Sequence, residues 1–268
     1  MSQSLRACLL ALAAACSSAA AAPLVKILPL GDSITYGCGS STALPPSWPV
    51  SCGASAGGYR APLYHMLRDT GFSDAAGNAS FTFVGTQSSG PSDIAAEYRA
   101  HEGHPGWTIP QINSIAAKWV PLAPTFILVH LGTNDVGQGH NLSTMLADMT
   151  ALLATIKAGV PGATTLVASI INMRSNDTNA VLVAYNAALP GLVAAAAAGG
   201  QKALFVDVNR RSGWCTGPTA AFPCTGVHPT TGGYAGMAMA FFEVLGPLMP
   251  LPAAAPAQAE QAYTAAWA

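Results

Sequence analysis

The stretch Val25-Lys26-Ile27-Leu28-Pro29-Leu30-Gly31-Asp32-Ser33-Ile34-Thr35-Tyr36-Gly37 reads as a buried strand that ends in a Gly-flanked turn carrying one serine. Working outward from it, short β-branched or aromatic runs at 24–29, 80–85, 124–131, 164–171 and 203–208 alternate with amphipathic stretches at 58–70, 108–119, 142–158, 178–198 and 231–246. Strands that alternate with helices imply a parallel sheet with helices on both faces and right-handed crossovers. The expected fold is therefore a three-layer α/β/α sandwich around a five-stranded, mainly parallel sheet. Such sheets bind ligands beyond the carboxyl ends of their strands. On this reading four residues sit at that edge: Ser33 after the first strand, Gly106 in the loop after the second, Asn134 after the third and His228 in the long loop after the fifth.

Composition narrows the functional classes. In 268 residues, 51% are apolar and 9% charged, with a formal net charge of -1, which suits one globular catalytic domain and offers no basic field for nucleic acid or anionic lipid. Arg6, the apolar run 7–15 and the small residues 19–22 ahead of Pro23 have the three zones of a secretory signal peptide over 1–22, with cleavage after Ala20 or Ala22. Cys16 keeps a lipoprotein alternative open, and the stretch is too short for a membrane anchor. The domain is expected over 23–250, followed by a loose tail at 251–268 rich in Ala, Pro and Gln. Export would leave Cys38, Cys52, Cys215 and Cys224. Of the three possible pairings, Cys38 with Cys52 and Cys215 with Cys224 is favoured because each closes a short Gly, Pro and Ser-rich loop, worth about 3 kcal/mol apiece. Sequons begin at Asn78, Asn141 and Asn176.

The blocks GDSI at Ser33, HEGHPGWTI at Gly106, LGTND at Asn134 and GVHP at His228 resemble, in order and spacing, those of the SGNH (GDSL-type) hydrolases. The run SGPSDIAAEYRAHEGHPGWTIPQIN is similar to the corresponding stretch of acetylxylan esterases in carbohydrate esterase family three. The resemblance covers residues 25–246. It implies a secreted, monomeric serine esterase that needs no metal or cofactor and acts on an acylated carbohydrate or small ester, with Ser33 as nucleophile and His228 as base. The backbone N–H groups of Ser33 and Gly106 and the Asn134 amide would be the oxyanion donors.

One position departs from the pattern. The family places Asp three residues before the histidine, and this chain has Thr225. A backbone carbonyl from Thr225 or a neighbour could orient His228, with a Cys215–Cys224 disulfide holding the loop. Asp207 is a second candidate orienter, although a turn or cap role suits it better. His130 reads as a satisfied core residue, His65 as structural, and His101 and His104 as residues that could line the cleft. Trp48, Trp107 and Tyr98 offer aromatic faces to sugar rings. The competing readings are a lipase or thioesterase relative and an inactive secreted carbohydrate-binding homologue.

Overall fold

A computed structural model describes residues 24–39, 52–53, 56–72, 80–173, 176–211 and 227–250. The signal and tail expectations, the Cys215–Cys224 pairing, Thr225, Trp48 and Asn78 lie outside those residues. Within them, the first strand β1 (Val25–Asp32) runs into a four-residue helix α1 (Ser33–Tyr36), and α2 (Arg60–Asp69) leads to β2 (Phe81–Phe83). Two strands absent from the sequence reading follow, β3 (Gln87–Ser88) and β4 (Ala100–His104). Next come α3 (Ile109–Ser114), α4 (Ala116–Trp119), β5 (Phe126–His130), α5 (Thr133–Gly137) and α6 (Leu142–Gly159). The chain continues through β6 (Thr164–Ala168), α7 (Asn176–Ala198), β7 (Ala203–Val206), α8 (Val208–Arg211) and α9 (Thr231–Leu245).

The sheet has seven strands rather than five, in the order β3-β4-β1-β5-β6-β7, with β2 paired to β1. One edge of β1 is shared. Val25 to Ile27 pair with Phe81 to Phe83 of β2, and Leu30 to Asp32 pair with Glu102 to His104 of β4. The other edge of β1 pairs with β5 from Ile27 to Gly31. All pairings are parallel except β3 with β4. Gly106 consequently follows β4, not the second strand, and reaches the carboxyl edge beside Ser33.

Alternation along the strands sends successive side chains to opposite faces. Ile27, Leu128 and Leu166 enter one buried cluster with Tyr59, Leu63 and Phe241 of the α2 and α9 layer. Leu28, Ile127 and Val167 enter the other, with Trp119, Met149, Leu152 and Tyr185 of the α3, α4, α6 and α7 layer. Helices α3, α6 and α9 start on side-chain caps that satisfy free N–H groups. Thr108 and Gln111 form a capping box at α3, Asn141 accepts the Thr144 N–H at 2.9 Å at α6, and Thr230 accepts the Gly233 N–H at 3.3 Å at α9. Asn141 is exposed.

Candidate active site

The serine turn is built from its neighbours. Asp32 caps α1 by accepting the Ile34 N–H at 2.9 Å, and Gly37 closes the turn at φ 101, where its N–H bonds the Ser33 carbonyl. Gly31 lets the turn tuck against the sheet, because a Cβ there would lie 2.6 Å from the His130 carbonyl oxygen. Ser33 is 7% exposed, and its Oγ lies 2.8 Å from His228 Nε2. Two residues separated by 195 positions thus meet in one hydrogen bond, at the carboxyl ends of β1, β4 and β5.

Burial alone pushes the His228 imidazole below its ordinary pKa of 6.5, which favours the neutral ring at neutral pH; in the tautomer that carries its proton on Nδ1, Nε2 can accept one from the serine hydroxyl. Its Nδ1 is buried and has no hydrogen-bond partner among the described residues. Asp207 does not supply one. Its Oδ1 accepts from the Arg210 N–H at 3.0 Å and the Ser169 hydroxyl at 3.2 Å, which is the cap role at α8.

The loops after β4 and β5 are tied together. Asn134 Nδ2 donates to the Trp107 carbonyl at 2.9 Å, which uses one of its two N–H groups and leaves the second available. Gly106 has φ 82, and a Cβ built on it meets nothing within 4 Å. Its requirement is thus the left-handed backbone rather than crowding. Asp135, fully buried, accepts the Ile109 N–H at 3.2 Å and ties α3 to the α5 turn; burial raises its pKa. Asp135, His140 and Asp148 bring ligand-type atoms within 4.8 Å of one another, and the Ile109 N–H and His140 already give the Asp135 carboxylate its partners.

The remaining sequence candidates divide. His65 bonds Asp93 at 3.0 Å on the surface, a structural role. His130 is a core residue, as expected, yet among the described residues neither ring nitrogen has a partner, so it is not the satisfied residue expected, and burial lowers its pKa to about 4. His101 does not line a cleft: it is fully buried, 2.9 Å from Ser89 Oγ, with its pKa lowered to about 2 chiefly by burial. His104 is held by buried Glu102 at 2.6 Å and stacks on Trp107 with ring centroids 4.2 Å apart. Tyr98 is partly buried and packs with Tyr64 and Phe81 against one face of the core.

Sequence reasoning missed the burial of Arg60 and the raised pKa of Asp32. Arg60 is 2% exposed and its Nε donates to the Thr35 carbonyl at 2.9 Å, one Nη to Tyr36 O at 3.0 Å. The signal was present: Arg60 occupies the same helical stripe as Leu63, Tyr64 and Leu67. Desolvation, with nearby Asp135 adding to it, raises the Asp32 pKa to about 7, an effect that depends on folding and has no sequence signature.

A family model described as GDSL-like lipase/acylhydrolase matches residues 30–235, a span that contains Ser33, Gly106, Asn134 and His228. A Ruminococcus flavefaciens protein described as a multidomain esterase is 35% identical over an alignment of 135 positions that covers 45% of this chain and 16% of that protein. Among solved structures, the Clostridium thermocellum family 3 carbohydrate esterase is 29% identical at TM-score 0.64, covering 85% of this chain and all of that one, 100%. An acetyl esterase mutant solved with an acetate ion is 26% identical at TM-score 0.65, covering 84% of this chain and 98% of its own.

Proposed function

The chain belongs to the GDSL-like lipase/acylhydrolase family and is a carboxylic-ester hydrolase, and from that premise we propose that it is a secreted acetyl esterase acting on plant cell-wall polysaccharide such as acetylxylan. The observation that carries the proposal is the 2.8 Å contact between Ser33 Oγ and His228 Nε2. A serine hydroxyl is a weak nucleophile until an adjacent base takes its proton, and this distance is within the range for that transfer. The family 3 carbohydrate esterase and the acetyl esterase with acetate support the acyl group, and the Cys38–Cys52 disulfide supports export.

In the proposed reaction, His228 Nε2 takes the Ser33 proton as Oγ bonds to the ester carbonyl carbon. The resulting oxyanion is met by the N–H groups of Ser33 and Gly106 and by the second N–H of Asn134. Collapse expels the sugar alkoxide, which receives the proton from His228. Water then attacks the acetyl-serine as His228 takes one of its protons; collapse returns that proton to Ser33 Oγ and releases acetic acid, which ionises to acetate. The Trp107 carbonyl fixes the Asn134 amide before substrate arrives, so no reorganisation is needed as charge develops.

The test compares wild type with Ser33→Ala on acetyl and octanoyl nitrophenyl esters and measures acetate released from acetylated xylan. Acetyl preference, acetate release and loss of both in the variant are expected. Octanoyl preference would replace the proposal with a lipase-type activity, and failure of a fluorophosphonate to label Ser33 would favour an inactive binding protein.

A further inference from the structure

We propose that the Cys38–Gly39 backbone, pinned by the Cys38–Cys52 disulfide, is the positioning element of the His228 imidazole. The proposal rests on the Ser33/His228 reading above and concerns what replaces an orienting carboxylate. In serine/histidine sites that have one, a carboxylate bonded to Nδ1 fixes the tautomer and the ring orientation. Here Nδ1 is buried without a partner among the described residues, and what those residues offer the ring is packing contact.

Three contacts of this dipeptide converge on the site. The Cys38 N–H donates to the Ser33 carbonyl at 2.9 Å, fixing Cys38 to the nucleophile turn. The Cys38 carbonyl accepts the Tyr234 hydroxyl at 2.8 Å, and Tyr234 lies in the first turn of α9, whose cap Thr230 is two residues beyond His228. Gly39, at φ 84, then passes under the histidine: a Cβ added there would lie 2.8 Å from the His228 Cβ and 3.6 Å from its Cγ. One short segment therefore joins the serine turn, the helix that follows the histidine, and the histidine side chain itself. Cys38 is fully buried and bonded to Cys52 fourteen residues later, so the segment cannot drift from either neighbour. Among the described residues no charged group contributes to the His228 shift, which comes from burial alone; the wall that buries the ring also sets its basicity.

Two variants test the proposal alongside Ser33→Ala. Gly39→Ala puts a methyl group against the ring. Cys52→Ser cuts the disulfide at its exposed end and leaves the buried Cys38 in place, so no cavity forms. With nitrophenyl acetate, kcat in each is expected to fall by about 10- to 100-fold, as for displacement of a catalytic group by about 1 Å. KM should stay within about twofold, since a misplaced base weakens the transition state rather than substrate binding. The acidic limb of the kcat/KM profile should rise toward the ordinary histidine value as water reaches the ring, a change that a merely structural bridge would not produce. Melting curves identify folded samples, and either folded variant decides the matter. Wild-type kcat and an unmoved acidic limb in a folded variant would overturn the positioning role while Ser33→Ala remains inactive. Full activity in Ser33→Ala would instead overturn the Ser/His reading itself.

Discussion

Arg60→Lys is the substitution that probes the foundation of the serine turn most directly. The guanidinium is buried with no carboxylate partner among the described residues, and its hydrogen bonds go to oxygens of neutral groups. Nε reaches Thr35 O, one Nη reaches Ser89 O and Arg99 O, and the other reaches Tyr36 O, Ala56 O and Ser89 Oγ. Thr35 and Tyr36 belong to α1, so this one side chain ties the nucleophile turn to α2 and to the segment between β2 and β4. Burial lowers its pKa only to about 10, so the charge persists at neutral pH. Lysine keeps the charge but has three donors on a flexible stem, where arginine presents five in a rigid fork. At least three acceptors would lose their donor, and at about 1.5 kcal/mol per bond to a charged group the loss is about 4 to 5 kcal/mol. At about 2 to 4 °C per kcal/mol for a domain of this size, Tm should fall by about 8 to 20 °C. Scanning calorimetry measures it, with kcat recorded well below the transition to detect loosening of the turn. A lysine variant that melts within about 2 °C of wild type would refute the claim that these carbonyls depend on the guanidinium.

Three further outcomes follow from the site and its surroundings. The acidic limb of kcat/KM for nitrophenyl acetate should lie below the ordinary histidine value of 6.5, because His228 must be neutral to act and burial lowers its pKa; a limb above 6.5 would contradict the burial argument. His130→Phe should lessen the loss of stability in acid. The folded histidine, with its pKa at about 4, stays neutral where the unfolded one takes up a proton, so wild-type stability falls as pH drops from 6.5 toward 4. Between pH 6.5 and 4.5 that contribution is about 2 to 3 kcal/mol, read as the difference between the pH dependences of the two urea midpoints; identical dependences would sink it. Asn134→Ala should lower kcat about 10²- to 10³-fold with little change in KM, the usual effect of removing one oxyanion donor; steady-state kinetics checks it, and an undiminished kcat would remove Asn134 from the proposed hole.

Much of the architecture could be read from the chain because apolar spacing there is strong. The amphipathic stretches 108–119, 142–158 and 231–246 correspond to α3 with α4, α6 and α9, and the Cys38–Cys52 pairing was favoured by the Gly, Pro and Ser-rich loop that it closes. β4 was not, for a physical reason. Its residues Ala100 to His104 include no large apolar side chain, and the burial of His101 and Glu102 is tolerated only because distant groups satisfy them: Ser89 for the imidazole, and the Thr86 N–H and hydroxyl for the carboxylate. A strand that depends on partners elsewhere leaves no alternation to detect. Arg60 and the unsatisfied His130 are similar cases, since charge and ring identity are visible in sequence while the presence or absence of acceptors is a property of the fold. The meeting of Ser33 with His228 could be anticipated because both follow strand ends. What holds the histidine in the absence of an aspartate at position 225 could not, because Gly39 gives no local sign of the contact it makes.

The divided edge of β1 has an evolutionary consequence. Because β2 flanks only the entry half of the strand and β4 only the exit half, the excursion between them, residues 84–99, is a natural place for lineages to lengthen or trim the chain. Insertions at its outer bend need not rethread the sheet, whereas the points that touch Arg60 should resist change. The outer bend can therefore diversify while the turn that carries the reactive hydroxyl is inherited intact.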